Sequence, residues 1–183
     1  MSGCAEQSKK ARIGIIGALD EEVAALKDAL TDKKTTVIGG VEYCEGKLEG
    51  KDVVIVRCGM GKVNAGICTE LLINDFHADR VINTGVAGSL DADIDIGDIV
   101  VSTDVVQHDF DITPLGYEPG ELYELQMVGI PAGEELRGKA VDAVAEAVPD
   151  VNVFEGRVLT GDQFIASREK KKRSHRELRG NVL

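Results

Sequence analysis

The sequence lacks several features, and each absence excludes a class of protein. Its longest apolar runs, such as residues 53–56 and 99–101, fall far short of the ~18 to 20 residues of a membrane-spanning helix. Basic residues are few: 21 Lys and Arg stand against 32 Asp and Glu, and a net charge of −11 repels a nucleic-acid backbone. We therefore expect no membrane and no nucleic acid among its partners.

Metal and redox motifs are also missing. The cysteines, Cys4, Cys44, Cys58 and Cys68, form no C-x-x-C pair, so a zinc or disulfide-exchange motif is not supported. No apolar stretch before Arg12 could serve as a secretory signal. We expect a cytoplasmic protein that keeps its thiols reduced and uses no metal and no cofactor.

What the sequence does contain is a pattern of short strands alternating with helices. Its 183 residues are 43% hydrophobic, enough for one globular domain with a buried core. The predicted strands are residues 12–17, 35–38, 41–48, 51–58, 80–84, 99–106 and 152–159. The predicted helices are one beginning near Asp20 as an N-cap-type residue, 63–76 and 134–147, and a polar loop is expected over 107–131.

The alternation of strands and helices along the chain predicts an α/β fold. The run at 12–17 is a short β-branched apolar run of the kind found in a strand covered on both faces. The three strands between 35 and 58 are separated by glycine turns and predict an antiparallel meander, so the sheet is mixed. In such folds the ligand lies at the carboxyl ends of the strands.

Three local motifs remain ambiguous when read alone. Gly59-x-Gly61-Lys62 is not a P-loop, and a tight strand-to-helix turn explains it. The residues at 20–22, Asp-Glu-Glu, either complement a helix N-terminus or include a base acting on water. The run at 108–111, His-Asp-Phe-Asp, resembles a metal cluster only superficially.

Beyond these motifs, the chain resembles a known family over residues 12 to about 168. The opening Ile-Gly-Ile-Ile-Gly-Ala-Leu-Asp-Glu-Glu-Val at 13–23 resembles that of the 5′-methylthioadenosine/S-adenosylhomocysteine nucleosidases, within the nucleoside phosphorylase superfamily. Collinear matches follow at residues 58–65, 82–88, 96–102, 108–113, 116–118 and 160–165. The resemblance implies a three-layer αβα fold around a central mixed, twisted sheet.

The resemblance also implies a reaction and its residues. The family hydrolyses the N-ribosidic bond of methylthioadenosine and S-adenosylhomocysteine to adenine and a thioribose, and Glu22 matches the glutamate that activates the water. The residues that match the substrate-binding positions are Leu19, Met60, Val86, Ala87, Gly88, Phe164 and Ile165. A homodimer is implied, because Ile112, Leu115 and Tyr117 match a segment that closes the pocket of the neighbouring subunit.

Alternatives stay open at this stage. A phosphorylase of the same fold would hold phosphate near the turn at 20–22, where the three carboxylates would instead repel that anion, so water is the better-supported nucleophile. A nucleoside-binding remnant without catalysis is a further alternative. Futalosine-type substrates also remain open, because the choice of 5′ substituent depends partly on family segments that this sequence does not contain.

The sequence departs from the family after residue 167. We assign 12–167 to the nucleosidase-like domain, 1–11 to an N-terminal extension and 168–183 to an aberrant basic tail, which has seven Lys or Arg and two Glu. The family's ribose-binding Met-Glu, its purine-protonating Asp and its last strand and helix are missing, so we expect little activity. A frameshift explains the tail better than ordinary divergence. Codons can be chosen for residues 176–183 that, when read one base later, encode an amino-acid sequence typical of the family.

Overall fold

The structure is a computed structural model and describes residues 11–183. The predicted extension 1–11 therefore lies almost wholly outside the described residues. The chain divides into two compact units, Met1–Val86 and Ala87–Leu183. Within 11–183 no helix is both long and apolar enough to cross a membrane.

The first unit is a five-stranded mixed sheet with helices. Its elements are β1 (Arg12–Gly17), α1 (Asp20–Asp28), β2 (Thr31–Ile38), β3 (Val41–Leu48), β4 (Lys51–Arg57), α2 (Lys62–Asn74) and β5 (Arg80–Asn83). The strand order is β2-β3-β4-β1-β5, with β1 parallel to β4 and β5 and the β2, β3, β4 meander antiparallel. The predicted meander and mixed sheet are confirmed.

Both faces of this sheet are covered, as the apolar runs require. Val54 and Val56 of β4 belong to one buried cluster together with Leu72 of α2. Val53 and Ile55, which alternate with them, belong to a second cluster that includes α1 side chains. Since successive strand residues point to opposite faces, α1 and α2 lie on opposite sides of the sheet. The predicted αβα layering is confirmed.

The second unit is built on a smaller sheet. Its elements are β6 (Ile99–Gln107), a 3₁₀ turn (Thr113–Leu115), β7 (Glu121–Leu122), β8 (Met127–Val128), β9 (Ile130–Pro131), α3 (Glu134–Ala147), β10 (Val153–Thr160) and α4 (Arg168–Leu178). Central β6 pairs in parallel with β10 and antiparallel with β9, while β7 and β8 form a separate hairpin. The predicted helix 134–147 is confirmed with the same bounds.

The structure corrects the expected polar loop at 107–131. Three short strands and a 3₁₀ turn lie within this stretch. Each of these strands is only two residues long, which is too short to produce an alternating hydrophobic pattern in the sequence.

Residues 168–183, predicted as a basic tail, contain α4 and a short extended segment. Ser167 caps α4 by accepting a hydrogen bond from the Lys170 amide, and Leu178 at the other end of α4 is buried. Val182 then forms β-bridges to both Ser89 and Val158 and is itself buried. The exposed face of α4 carries the lysines and arginines, and the opposite face packs within the second unit.

Candidate active site

The turn between β1 and α1 positions the central carboxylate of the site. The sequence suggested Asp20 as an N-cap-type residue, but the N-cap is Leu19, whose side chain has no acceptor. Glu22, in the third helical position, instead caps the backbone amides that precede the helix. Its Oε2 accepts hydrogen bonds from the backbone amides of Ala18 at 2.7 Å and Leu19 at 2.9 Å.

A further donor reaches Glu22 from the end of another strand. Oε1 accepts a hydrogen bond at 3.0 Å from the amide of Val86, which follows β5. The neighbouring Gly85 has no room for a side chain, because a Cβ there would lie 2.6 Å from Oε1. Backbone donors from two strand ends therefore fix the carboxylate, and such charge-assisted bonds are among the stronger ones.

The neighbouring carboxylates have different surroundings. Asp20 Oδ1 lies 3.1 Å from Arg57 Nε, and both side chains are largely exposed. Glu21 is exposed on the first turn of the same helix. Of the three acidic residues at 20–22, Glu22 is the one built into the strand-end turn. The catalytic role that the family resemblance implies for Glu22 stays a prediction.

Cys58 is a neighbour of this group that the sequence did not single out. Its thiol donates to the carbonyl oxygen of Gly59 at 3.1 Å, and its amide donates to Gly17 O at 2.9 Å. Burial raises the pKa of the Cys58 thiol, and its electrostatic interactions with Cys68 and Glu22 raise it further. Burial and the Glu22 carboxylate therefore both disfavour the thiolate form of Cys58, a relation that no sequence pattern encodes.

The glycine motif after β4 forms a strand-to-helix turn. Gly59 and Gly61 have φ values of 84° and 100°, a left-handed backbone that glycine adopts without steric cost. Between them, Met60 is 76% exposed, and its carbonyl oxygen accepts a hydrogen bond from the Asn64 side chain at 2.7 Å. The turn thus presents the Met60 side chain to solvent, where a ligand could contact it.

The remaining predicted substrate-binding residues lie in the second unit. Ala87 is exposed, and Gly88 exchanges backbone hydrogen bonds with Leu183. In the loop after β10, Phe164 is 97% exposed whereas Ile165 is buried. The ring of Phe164 is therefore available for stacking, while Ile165 anchors the loop.

Asp109 holds the start of that loop in place. Its Oδ2 accepts a hydrogen bond from the Asp162 amide at 2.7 Å. A side chain at Gly161 would clash with His108 and Asp109, since a Cβ there would overlap His108 Nε2. The His-Asp run that superficially resembled a metal cluster thus contacts the turn that leads to Phe164.

The predicted subunit-contact segment offers apolar surface. Ile112 precedes the 3₁₀ turn, Leu115 ends it with 75% of its surface exposed, and Tyr117 follows. Tyr117 packs edge-to-face against Tyr123, with ring centroids 5.4 Å apart. The segment is therefore partly ordered by its own aromatic contact and still leaves a large apolar side chain uncovered.

This α/β architecture, with a carboxylate held at its strand ends, falls within the phosphorylase superfamily, whose model matches residues 12–183. The chain is 44% identical over 159 residues to the 5′-methylthioadenosine/S-adenosylhomocysteine nucleosidase of Psychromonas ingrahamii, covering 87% of this chain and 68% of that protein. It is 46% identical over 157 residues to the nucleosidase of the same name from an Exiguobacterium species, covering 84% and 65%. The chain belongs to this family of nucleosidases.

Solved structures agree with this assignment. The crystal structure of the Colwellia psychrerythraea 5′-methylthioadenosine/S-adenosylhomocysteine nucleosidase in complex with adenine superposes with a TM-score of 0.89 at 38% identity, covering 95% of this chain and 72% of that one. A native structure of the Helicobacter pylori futalosine hydrolase gives a TM-score of 0.87 at 30% identity, covering 94% and 73%. The chain thus spans about two thirds of the length of the curated relatives it matches.

Proposed function

We propose that this chain is built for hydrolysis of the N-ribosidic bond of methylthioadenosine and S-adenosylhomocysteine, releasing adenine and a thioribose. The observation that carries the proposal is the Glu22 carboxylate, held by backbone amides at the carboxyl ends of two strands. A carboxylate fixed in this way orients a water molecule and accepts its proton as the bond to the purine breaks.

The other predicted residues bind the substrate in this scheme. Leu19 and Val86 are exposed at the two turns that hold Glu22, Met60 is exposed in the turn after β4, and all three are assigned to the ribose and base. The exposed Phe164 ring is assigned to stacking on the purine. Leu115, with its neighbours Ile112 and Tyr117, is assigned to the contact that completes the pocket of a second subunit in a homodimer. Its exposed apolar surface supports this role.

A polypeptide of these 183 residues alone should turn over slowly. It contains no residue that matches the family's purine-protonating Asp or the Met-Glu that holds the ribose hydroxyls. Positioned proton transfer supplies ~10² to 10⁴ in rate, so its loss is severe even in a folded protein. We also assign the protein to the reducing cytoplasm, which the thiols packed in its core support.

Adenine release tests the proposal. Residues 1–167 of this chain should be joined to the C-terminal third of the Psychromonas nucleosidase and assayed with methylthioadenosine in phosphate-free buffer. We expect the chimeric protein to turn over without phosphate. Its Glu22→Gln variant should be slower by about 10² or more. The 183-residue chain should be slower than the chimeric protein by a comparable or larger factor. Strict dependence on phosphate would place the protein with the phosphorylases. Adenine binding by the 183-residue chain without any turnover would favour a binding remnant.

Futalosine is a second candidate substrate. The structural likeness to a futalosine hydrolase favours including it, because that enzyme superposes on this chain nearly as well as the nucleosidases do. The same chimeric protein should be assayed with futalosine beside methylthioadenosine. We expect a lower kcat/KM for futalosine, and the reverse preference would reassign the substrate.

A further inference from the structure

Arg57 lies at the same strand ends as the Glu22 turn, although it is distant from that turn in sequence. Parallel pairing of β1 and β4 sets Arg57 opposite Gly17, two residues before the N-cap of α1. Its guanidinium Nε lies 3.1 Å from Asp20 Oδ1, with 49% of the Arg57 side chain and 73% of the Asp20 side chain exposed. The Arg57 cation therefore lies beside this turn, which the sequence analysis did not predict, and Asp20 forms an ion pair with it.

The pair borders a cavity. A polar cavity of about 310 Å³ lies here, and the residues that line it are Asp20, Lys27, Gly40, Val41, Glu42, Arg57 and Cys58. The amide of Cys58, the residue after Arg57, donates a hydrogen bond to Gly17 O at 2.9 Å, so Arg57 lies beside the end of β1 that leads to Glu22. The cavity thus has two cationic side chains, Lys27 and Arg57, and two carboxylates, Asp20 and Glu42. A guanidinium binds phosphate oxygens with a fixed fork of donors, so Arg57 could receive an oxyanion if a carboxylate were removed.

We propose that Asp20 is a specificity-determining residue that prevents inorganic phosphate from binding to Arg57. Asp20 occupies the guanidinium and adds a negative charge that repels a phosphate dianion. Removing Asp20 leaves Arg57 and Lys27 with Glu42 as the remaining carboxylate of the lining, so the side chains around the cavity carry a net positive charge. The consequence for catalysis, that water rather than phosphate reaches the sugar, rests on the proposed hydrolytic function. The anion binding itself does not depend on it.

The test measures phosphate binding rather than turnover. Asp20→Ala, Glu21→Ala and the double variant Asp20→Ala/Arg57→Gln are titrated with inorganic phosphate by calorimetry, and sulfate is used as a second probe. Glu21→Ala is the matched control, since it removes the same charge from the same helical turn without touching Arg57. We expect Asp20→Ala to bind phosphate about fivefold more tightly than the parent chain, the scale of one exposed ion pair. Glu21→Ala and the double variant should match the parent.

Two results would overturn the proposal. Equal gains in Asp20→Ala and Glu21→Ala would mean that net charge alone sets phosphate affinity. A gain that persists in the double variant would mean that Arg57 is not the receptor. Neither result bears on the proposed reaction, which the phosphate dependence of adenine release decides separately.

Discussion

The two units of the chain fill their interiors in different ways. In the first unit, consecutive apolar residues of β4 are buried on both faces of the sheet, in two clusters that include side chains of both helices. In the second unit the buried cluster consists of Val106, Leu159 and Leu178. The first unit thus has a large and almost wholly apolar core, whereas the buried apolar cluster of the second unit is much smaller.

Polar contacts supplement that smaller core. Arg157 donates to both carboxylate oxygens of Asp104, at 2.6 to 3.0 Å, and to the carbonyl oxygen of Leu178 at 2.9 Å. The Asn181 side chain accepts from the Arg157 amide and donates to Asp91. The second unit therefore depends on matched hydrogen bonds, and removing one partner destabilises it because the other partner is left buried without a bond.

The largest effect is expected from truncating the apolar core of the first unit. Leu72 is fully buried on α2, and its Cδ1 lies only 3.1 Å from where a Cβ of Gly14 would be. Leu72→Ala should lower the free energy of unfolding by about 3 to 4 kcal/mol, through lost burial and the cavity left behind. Urea denaturation followed by circular dichroism measures the loss.

Ile73→Ala on the same helix is the control, because Ile73 is 47% exposed. It should cost less than about 1 kcal/mol. Similar losses for the two variants would show that the apolar interior of the first unit is not as tightly packed as its clusters indicate.

The second unit is tested by removing the cation of its polar network. Arg157→Met leaves Asp104 and the Leu178 carbonyl without this donor, and the two side chains of the ion pair are only 25% and 16% exposed. A fully buried pair would cost 3 to 5 kcal/mol to break, so this partly exposed one should cost about 2 to 3 kcal/mol in urea denaturation. Arg137→Met, which breaks a more exposed pair with Glu155, should cost less than about 1 kcal/mol. Equal losses of unfolding free energy in Arg157→Met and Arg137→Met would show that the Arg157 network contributes no more to stability than an exposed ion pair.

The same contrast explains how much of the fold could be predicted from sequence. The strand at 12–17, the meander and the helix at 134–147 were predictable, because long apolar or periodic runs dominate their packing. The strands β7 to β9 were not, since two-residue pairings leave no pattern. The assignment of 12–167 and 168–183 to a domain and a tail stays a prediction.

The site was predictable only in part. Position and charge left three candidates at 20–22, and the family resemblance, rather than spacing, selected Glu22. The donor that completes its surroundings comes from Val86, 64 residues later in the chain. The pairing of Asp20 with Arg57 likewise depends on which strands become neighbours. Such contacts are set by topology, which local sequence patterns do not encode.

The smallest effect concerns a single exposed carboxyl group beside the predicted subunit-contact segment. Asp111 Oδ1 accepts hydrogen bonds from the Thr113 hydroxyl at 2.7 Å and the Thr113 amide at 2.9 Å. Both bonds favour the ionised form, so the pKa of Asp111 lies below its ordinary value, with the hydroxyl as the larger cause. A depressed pKa of this kind stabilises the fold above the unfolded-state pKa, and the stabilisation is lost as the pH falls through the folded-state value.

Thr113→Val removes the hydroxyl and keeps the amide, so the pKa of Asp111 should rise partway towards its ordinary value in a carbon-detected NMR titration. Thr31→Val in the first unit serves as the control, because the Thr31 hydroxyl donates to a carbonyl oxygen of Lys47 instead of a carboxylate. It should leave the titration of Asp111 unchanged. An unchanged Asp111 pKa in Thr113→Val would show that this hydroxyl does not order the start of the segment that carries Leu115, and that the amide alone holds the carboxylate.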